Sequence, residues 1–101
     1  MARKTKDALK ILDQITGDDS ELRQLIEQEY LNIHVAQMIH DARVSAGLTQ
    51  AQLAELIGTQ QPTIARLEDS DYRGHSLNML KRIALALNLD LEVRFLPRSV
   101  A

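Results

Sequence analysis

Residues 50–69 read QAQLAELIGTQQPTIARLED. Leu53, Ile57, Ile64 and Leu67 fall where two short helices would turn apolar sides toward a shared core. Thr49 stands where the first helix needs an N-cap, because its hydroxyl can accept from a free N–H of the first turn. Gly58 closes that helix and supplies the positive φ that lets the chain leave at a steep angle. Pro62 is acceptable at the start of the second helix, where an N–H has no partner to lose. Ala54 is small where the two helices would cross. The stretch predicts helices over residues 50–57 and about 61–69, joined by a tight turn, which is helix-turn-helix geometry.

Downstream, residues 70–75 (SDYRGH) form a loop, Ser76 caps a helix over residues 77–87, and residues 89–96 alternate apolar and charged side chains as a strand does, until Pro97. Upstream, residues 20–46 contain no Gly or Pro. Leu22, Ile26, Tyr30, Ile33, Ala36, Ile39 and Ala42 recur there at three- and four-residue steps. That predicts one long helix, or two joined by a kink near Asn32, ended by Gly47. Residues 7–15 predict a short amphipathic helix with Ala8, Ile11, Leu12 and Ile15 inward. Gly17 would cap its end, and Asp19 or Ser20 would cap the next helix. Residues 1–6 read as a polar tail.

Composition agrees with packed helices. Of 101 residues 45% are hydrophobic but only 3% aromatic, so the core draws on Leu, Ile, Ala, Val and Met. Met38 and Met79 read as core filler. The length fits one domain with short appendages. Without cysteine there is neither a disulfide scaffold nor a zinc finger, and a cytoplasmic location is expected. No apolar run suggests a membrane span or a secretory signal. His34 and His40 do not share a helical face, and neither acidic cluster, Asp18-Asp19 or Asp69-Ser70-Asp71, has calcium-loop spacing, so no metal is expected. No nucleophile–base pairing or phosphate-cradling glycine loop appears, so neither a cofactor nor an enzymatic activity is expected.

The second helix of the pair begins with polar side chains: Gln60, Gln61, Thr63 and, one turn on, Arg66. Gln can pair bidentately with adenine and Arg with guanine in the major groove. The two glutamines alone would fit the solvated face of any helical hairpin; together with the capped pair of helices they point to double-stranded DNA. The net charge of −2 sits awkwardly with that partner. The acidic excess lies in residues 1–39, with five basic and seven acidic groups, whereas residues 40–82 carry five of each. Phosphates would have to be met by a local arrangement of Arg and backbone N–H groups. Arg3, Lys4 and Lys6 read as a solvated tail rather than a DNA-following arm.

Residues 47–89 resemble the Cro/CI-type (Xre) helix-turn-helix of phage repressors, through Gly47-Leu48-Thr49-Gln50, Leu53-Ala54, Ile57-Gly58, Ile64, Leu67-Glu68, Leu80, Ile83-Ala84 and Leu87. The resemblance implies an all-α, five-helix domain over residues 39–88, a helical extension over residues 1–38 and a tail over residues 89–101. It implies that Gln50 holds a phosphate, that Gln60, Gln61, Thr63 and Arg66 face bases or flanking phosphates, and that Arg43 and Glu68 form a buried ion pair. The family usually has a short turn after the second helix of the motif; here residues 68–74 are longer. That loop, the Gln61-Pro62-Thr63 opening and the terminal strand are similar to HigA-type antitoxins. Such proteins repress their own operon and neutralise RelE-like mRNA interferases. The alternatives are a stand-alone repressor without a toxin and an interaction module that has lost DNA binding.

For a repressor, two recognition helices would read an inverted repeat, and the protein would be a homodimer. The terminal strand offers the contact: its backbone groups need a partner, and its own copy across a two-fold would supply one. Centring the antiparallel pair on Val93 sets Glu92 against Arg94 and Leu91 against Phe95, whereas centring on Glu92 would oppose like charges. Asp18, Asp19, Glu21, Glu27 and Glu29 are the residues a small basic toxin would meet, unless they are simply a solvated helix face.

Overall fold

A computed structural model of the chain describes residues 10, 11 and 13–98. A helical stretch reaches residue 16 and is followed by α1 (Ser20–Ser45), α2 (Gln50–Ile57), α3 (Gln61–Leu67) and α4 (Leu77–Ala86). Among the described residues there is no strand. Residues 31–93 form one compact unit; the described residues up to Tyr30 and from Arg94 onward belong to a second.

In the larger unit α2 packs against both α3 and α4. Leu53 and Ile64 are wholly buried at the α2–α3 crossing, with Ala54, Ile57, Leu67, Ile83 and Ile39 of α1 around them. Burying a side chain of that size contributes about 1.5–3 kcal/mol. Ala54 is buried within this cluster, so a larger side chain there would have to displace its neighbours. The remaining walls are half-buried Val35, Tyr72, Met79, Leu80 and Leu87.

The helix ends follow from the sequence. Thr49 Oγ1 accepts from Gln52 N (3.1 Å) while Gln52 Oε1 accepts from Thr49 N (2.8 Å), a reciprocal capping box. Gly58 takes φ +73°, with Thr59 N donating to Ala54 O (2.9 Å) and Gly58 N to Glu55 O (3.2 Å). This Schellman ending turns the chain into α3. Asn88, at φ +59°, ends α4 the same way: Leu89 N donates to Ala84 O (2.7 Å) and Asn88 N to Leu85 O (3.2 Å). Asp19 caps α1 through Oδ1, which accepts from Leu22 N at 3.0 Å.

The helix α1 is continuous over 26 residues, the first of the two arrangements expected for this stretch. Several expectations change. Ile11 and Ile15 are exposed rather than inward, and Thr16 is the buried residue of that stretch; Ala8, Leu12, Arg3, Lys4 and Lys6 lie outside the described residues. On α1 only Ala36 and Ile39 are fully buried, while Leu22, Leu25, Tyr30, Leu31 and Ile33 are exposed. The core reaches only the C-terminal part of the helix. Met38 is exposed too, on the rim of a groove rather than in the core. Residues 89–98 carry no ladder within the single chain.

Candidate DNA interface

The candidate recognition element is α3, and three of its features determine what it presents. Gln60 precedes it in extended conformation (φ −101°, ψ 150°) and makes no side-chain cap. Pro62 sits in the first turn. Ile64 and Leu67 face the core. Gln60, Gln61 and Arg66 are therefore exposed, and Thr63 is half-buried on the same short helix.

Glu68, immediately after α3, anchors it to α1. Arg43 Nε donates to Glu68 Oε2 (2.7 Å) and Arg43 Nη2 to Glu68 Oε1 (2.9 Å), a forked pair that fixes distance and orientation together. Arg43 Nη1 donates to Leu48 O (2.7 Å), so one guanidinium ties α1, the turn before α2 and the end of α3. The two side chains are 12% and 5% exposed, which makes this an interior pair rather than a surface one. His40 Nδ1 also donates to Glu68 Oε1 (2.8 Å). Burial alone would push the Glu68 carboxyl up; the hydrogen bonds from Arg43, His40 and Gln50 outweigh it and hold the carboxyl below its ordinary value. Glu68 in turn raises Arg43, against the effect of its burial.

The network continues to the surface. Gln50 Nε2 donates to Glu68 Oε1 (3.4 Å), and Gln61 Nε2 donates to Gln50 Oε1 (2.7 Å). A line of hydrogen bonds thus runs from the interior ion pair through the first residue of α2 to the first residue of α3. It ties the exposed Gln61 side chain to Gln50 and, through Gln50, to the ion pair.

The long loop after α3 is held rather than loose. Asp69 Oδ1 accepts from Asp71 N (2.8 Å), Tyr72 packs against the core, and the His75 ring meets Tyr72 edge-on at 5.0 Å. His75 Nε2–H donates to Leu67 O (2.7 Å), satisfying a carbonyl at the end of α3. Arg82 of α4 donates to the Ile57 carbonyl at the end of α2. Sequence reasoning missed His40, Tyr72, His75 and Arg82 as supports. Only the Gln52 half of the capping box had a readable signal, the Thr-x-x-Gln spacing.

A capped helix, α2, that turns at Gly58 into α3, with exposed polar side chains on α3 and an interior ion pair at its end, has the form of a DNA-binding helix-turn-helix domain. The profile of the helix-turn-helix family matches residues 39–93, and the chain belongs to this Cro/CI-type family. It is a DNA-binding transcriptional regulator. No curated protein and no solved structure matches the chain significantly. Among the described residues no helix is long and apolar enough to cross a membrane, and no cluster of His, Cys, Asp or Glu could hold a metal ion.

Proposed function

We propose that the protein is a cytoplasmic, dimeric repressor that binds an inverted repeat in its own promoter and serves as the antitoxin to a small basic, RelE-like mRNA interferase. The observation that carries the DNA reading is the hydrogen-bonded line from Arg43 and Glu68 through Gln50 to Gln61. In this reading Gln60, Gln61, Thr63 and Arg66 face bases or their flanking phosphates, and Gln50 meets a phosphate. Arg66→Ala is expected to relax base preference at one position per half-site, at a cost of about 1–3 kcal/mol there. Gln50→Ala is expected to weaken all DNA sequences alike. Binding isotherms on operator and random duplexes check both; equal losses on the two duplexes for the Arg66 variant would assign Arg66 to phosphate.

The toxin reading draws on the N-terminal unit. Its part of α1 exposes Leu22, Leu25 and Tyr30 beside Asp18 and Glu21, a mixture of apolar and acidic groups suited to a basic protein. Glu27 is already engaged by Arg23 (3.3 Å) and Arg98 (3.3 Å), and Asp19 by its cap, so the acidic face is smaller than the residue count suggests. Arg98 and Arg23 together hold the Glu27 carboxyl below its ordinary value. Purification of the protein from its native operon should bring down a small basic partner. If it is recovered alone, it is a stand-alone regulator.

The dimer reading rests on residues 91–95 paired antiparallel about Val93. Arg94→Glu is expected to weaken self-association and a second change, Glu92→Arg, to restore it, as measured by sedimentation. A double variant no better than the single would remove this register.

A further inference from the structure

The larger unit carries an apolar groove of about 100 Å³ between the end of α1 and α4. Met38 and Ala42 form one wall, Leu80 and Leu87 the other, and Leu89 and Leu91 close one end. Among the described residues that line it, Asp90 is the one that is charged. A space of this order suits an aromatic ring: a dry apolar cavity of roughly 150 Å³ takes up benzene. The chain contains a single phenylalanine, Phe95, and its side chain is fully exposed. Val93 and Leu96 beside it are also largely exposed, at 66% and 69%. A protein that leaves an apolar groove open and its largest apolar side chain in water is incomplete as a single chain.

We infer that the groove is the seat for Phe95 of a second copy of this chain. The inference deepens the dimer reading and rests on it. In an antiparallel pair centred on Val93, the residue opposite Leu91 is the partner's Phe95. Opposed residues share a face of the ladder, so the partner's ring stands beside Leu91, and Leu91 is a groove-lining residue. Within one extended strand the ring would instead stand about 13 Å beyond Leu91, at roughly 3.3 Å per residue. The register that pairs Glu92 with Arg94 is thus the register that delivers an aromatic ring to the groove. By symmetry each subunit gives one ring and receives one, so two grooves close for one strand pair. Residues 91–95 then act as a clasp as well as a ladder, with the ring as its anchor.

Sedimentation of the full chain tests this seat, and a disulfide separates it from the strand pairing beneath it. Phe95→Ala is expected to raise the dimer dissociation constant about 30-fold or more, the effect of an interface hot spot. Ala42→Phe fills the groove from its own side and is expected to weaken the dimer similarly, while circular-dichroism melting confirms that the domain still folds. If the ring sits in the groove, the two effects are not additive: once Phe95 is gone, filling the groove costs the dimer little more. Val93→Cys places a thiol opposite its own copy in a chain that has no other cysteine, so oxidation should yield a disulfide-linked dimer. Cross-linking at Val93 together with an unchanged dissociation constant for Phe95→Ala, or with fully additive effects of the Phe95 and Ala42 changes, overturns the seat and leaves the strand pairing standing. Failure of Val93→Cys to cross-link overturns the strand register and the seat with it.

Discussion

Replacing Arg43 by Ala is expected to lower stability by about 3–5 kcal/mol and the melting temperature by about 12 °C or more. The lost atoms matter less than what they leave behind. Glu68 is 5% exposed and would keep its charge without the forked partner that compensates its burial. His40 and Gln50 would still donate to it, at 2.8 and 3.4 Å, which is why the lower end of the range is the better estimate. The Leu48 carbonyl would lose its donor as well. The effect should depend on pH in a defined sense. Glu68 has a depressed folded-state pKa, so its contribution is fully present above the ordinary value of 4.5 and is lost as the pH falls through the lower folded-state value. The stability gap between wild type and Arg43→Ala should therefore narrow in acid, where a protonated Glu68 no longer needs the guanidinium. Thermal melts at neutral and acidic pH check both statements. An unchanged melting temperature would mean the pair is solvated in solution.

Ile64→Ala is expected to cost about 2–5 kcal/mol, since Ile64 is wholly buried where α3 meets α2. The value within that range depends on how far Leu53 and Leu67 can collapse into the space. Ile64 makes no approach to the DNA-facing side, yet its loss should also weaken operator binding, because α3 has only seven residues and two fully buried anchors, Ile64 and Leu67. Urea unfolding gives the stability change, and titration with operator DNA under conditions where the variant stays folded gives the second. A loss under about 0.5 kcal/mol, the range of an ordinary surface substitution, would remove Ile64 from the core.

The helix-turn-helix was legible because its signals are local. Thr49, Gly58, Pro62 and Ser76 each specify a backbone state within a few residues, and the apolar spacing of Leu53, Ile57, Ile64 and Leu67 needs no distant partner to be read. The inward assignments of Ile11 and Ile15 failed for the opposite reason. Periodicity reports that a helix has an apolar side, but whether that side is covered depends on elements the spacing does not mention. Of the supports of the site, His40, His75 and Arg82 were illegible because each acts on a backbone carbonyl or carboxylate eight or more residues away, and Tyr72 because it acts by packing against the core. Asn88 is intermediate: it ends α4 in the left-handed conformation that a glycine signals more loudly. The alternation of residues 89–96 is a strand pattern that one chain cannot complete, because a ladder needs a second backbone.

In the proposed complex α3 presents Gln60, Gln61, Thr63 and Arg66 to the major groove as one of a two-fold pair. A footprint of the full chain on its own upstream promoter tests it most directly. Protection is expected over an inverted repeat with half-site centres about one helical turn, ~34 Å, apart or a multiple of it. Protection should also be lost when Gln61 and Arg66 are both replaced by Ala in a protein that melts normally. Uniform protection without a repeat, or a footprint indifferent to those two residues, would contradict it.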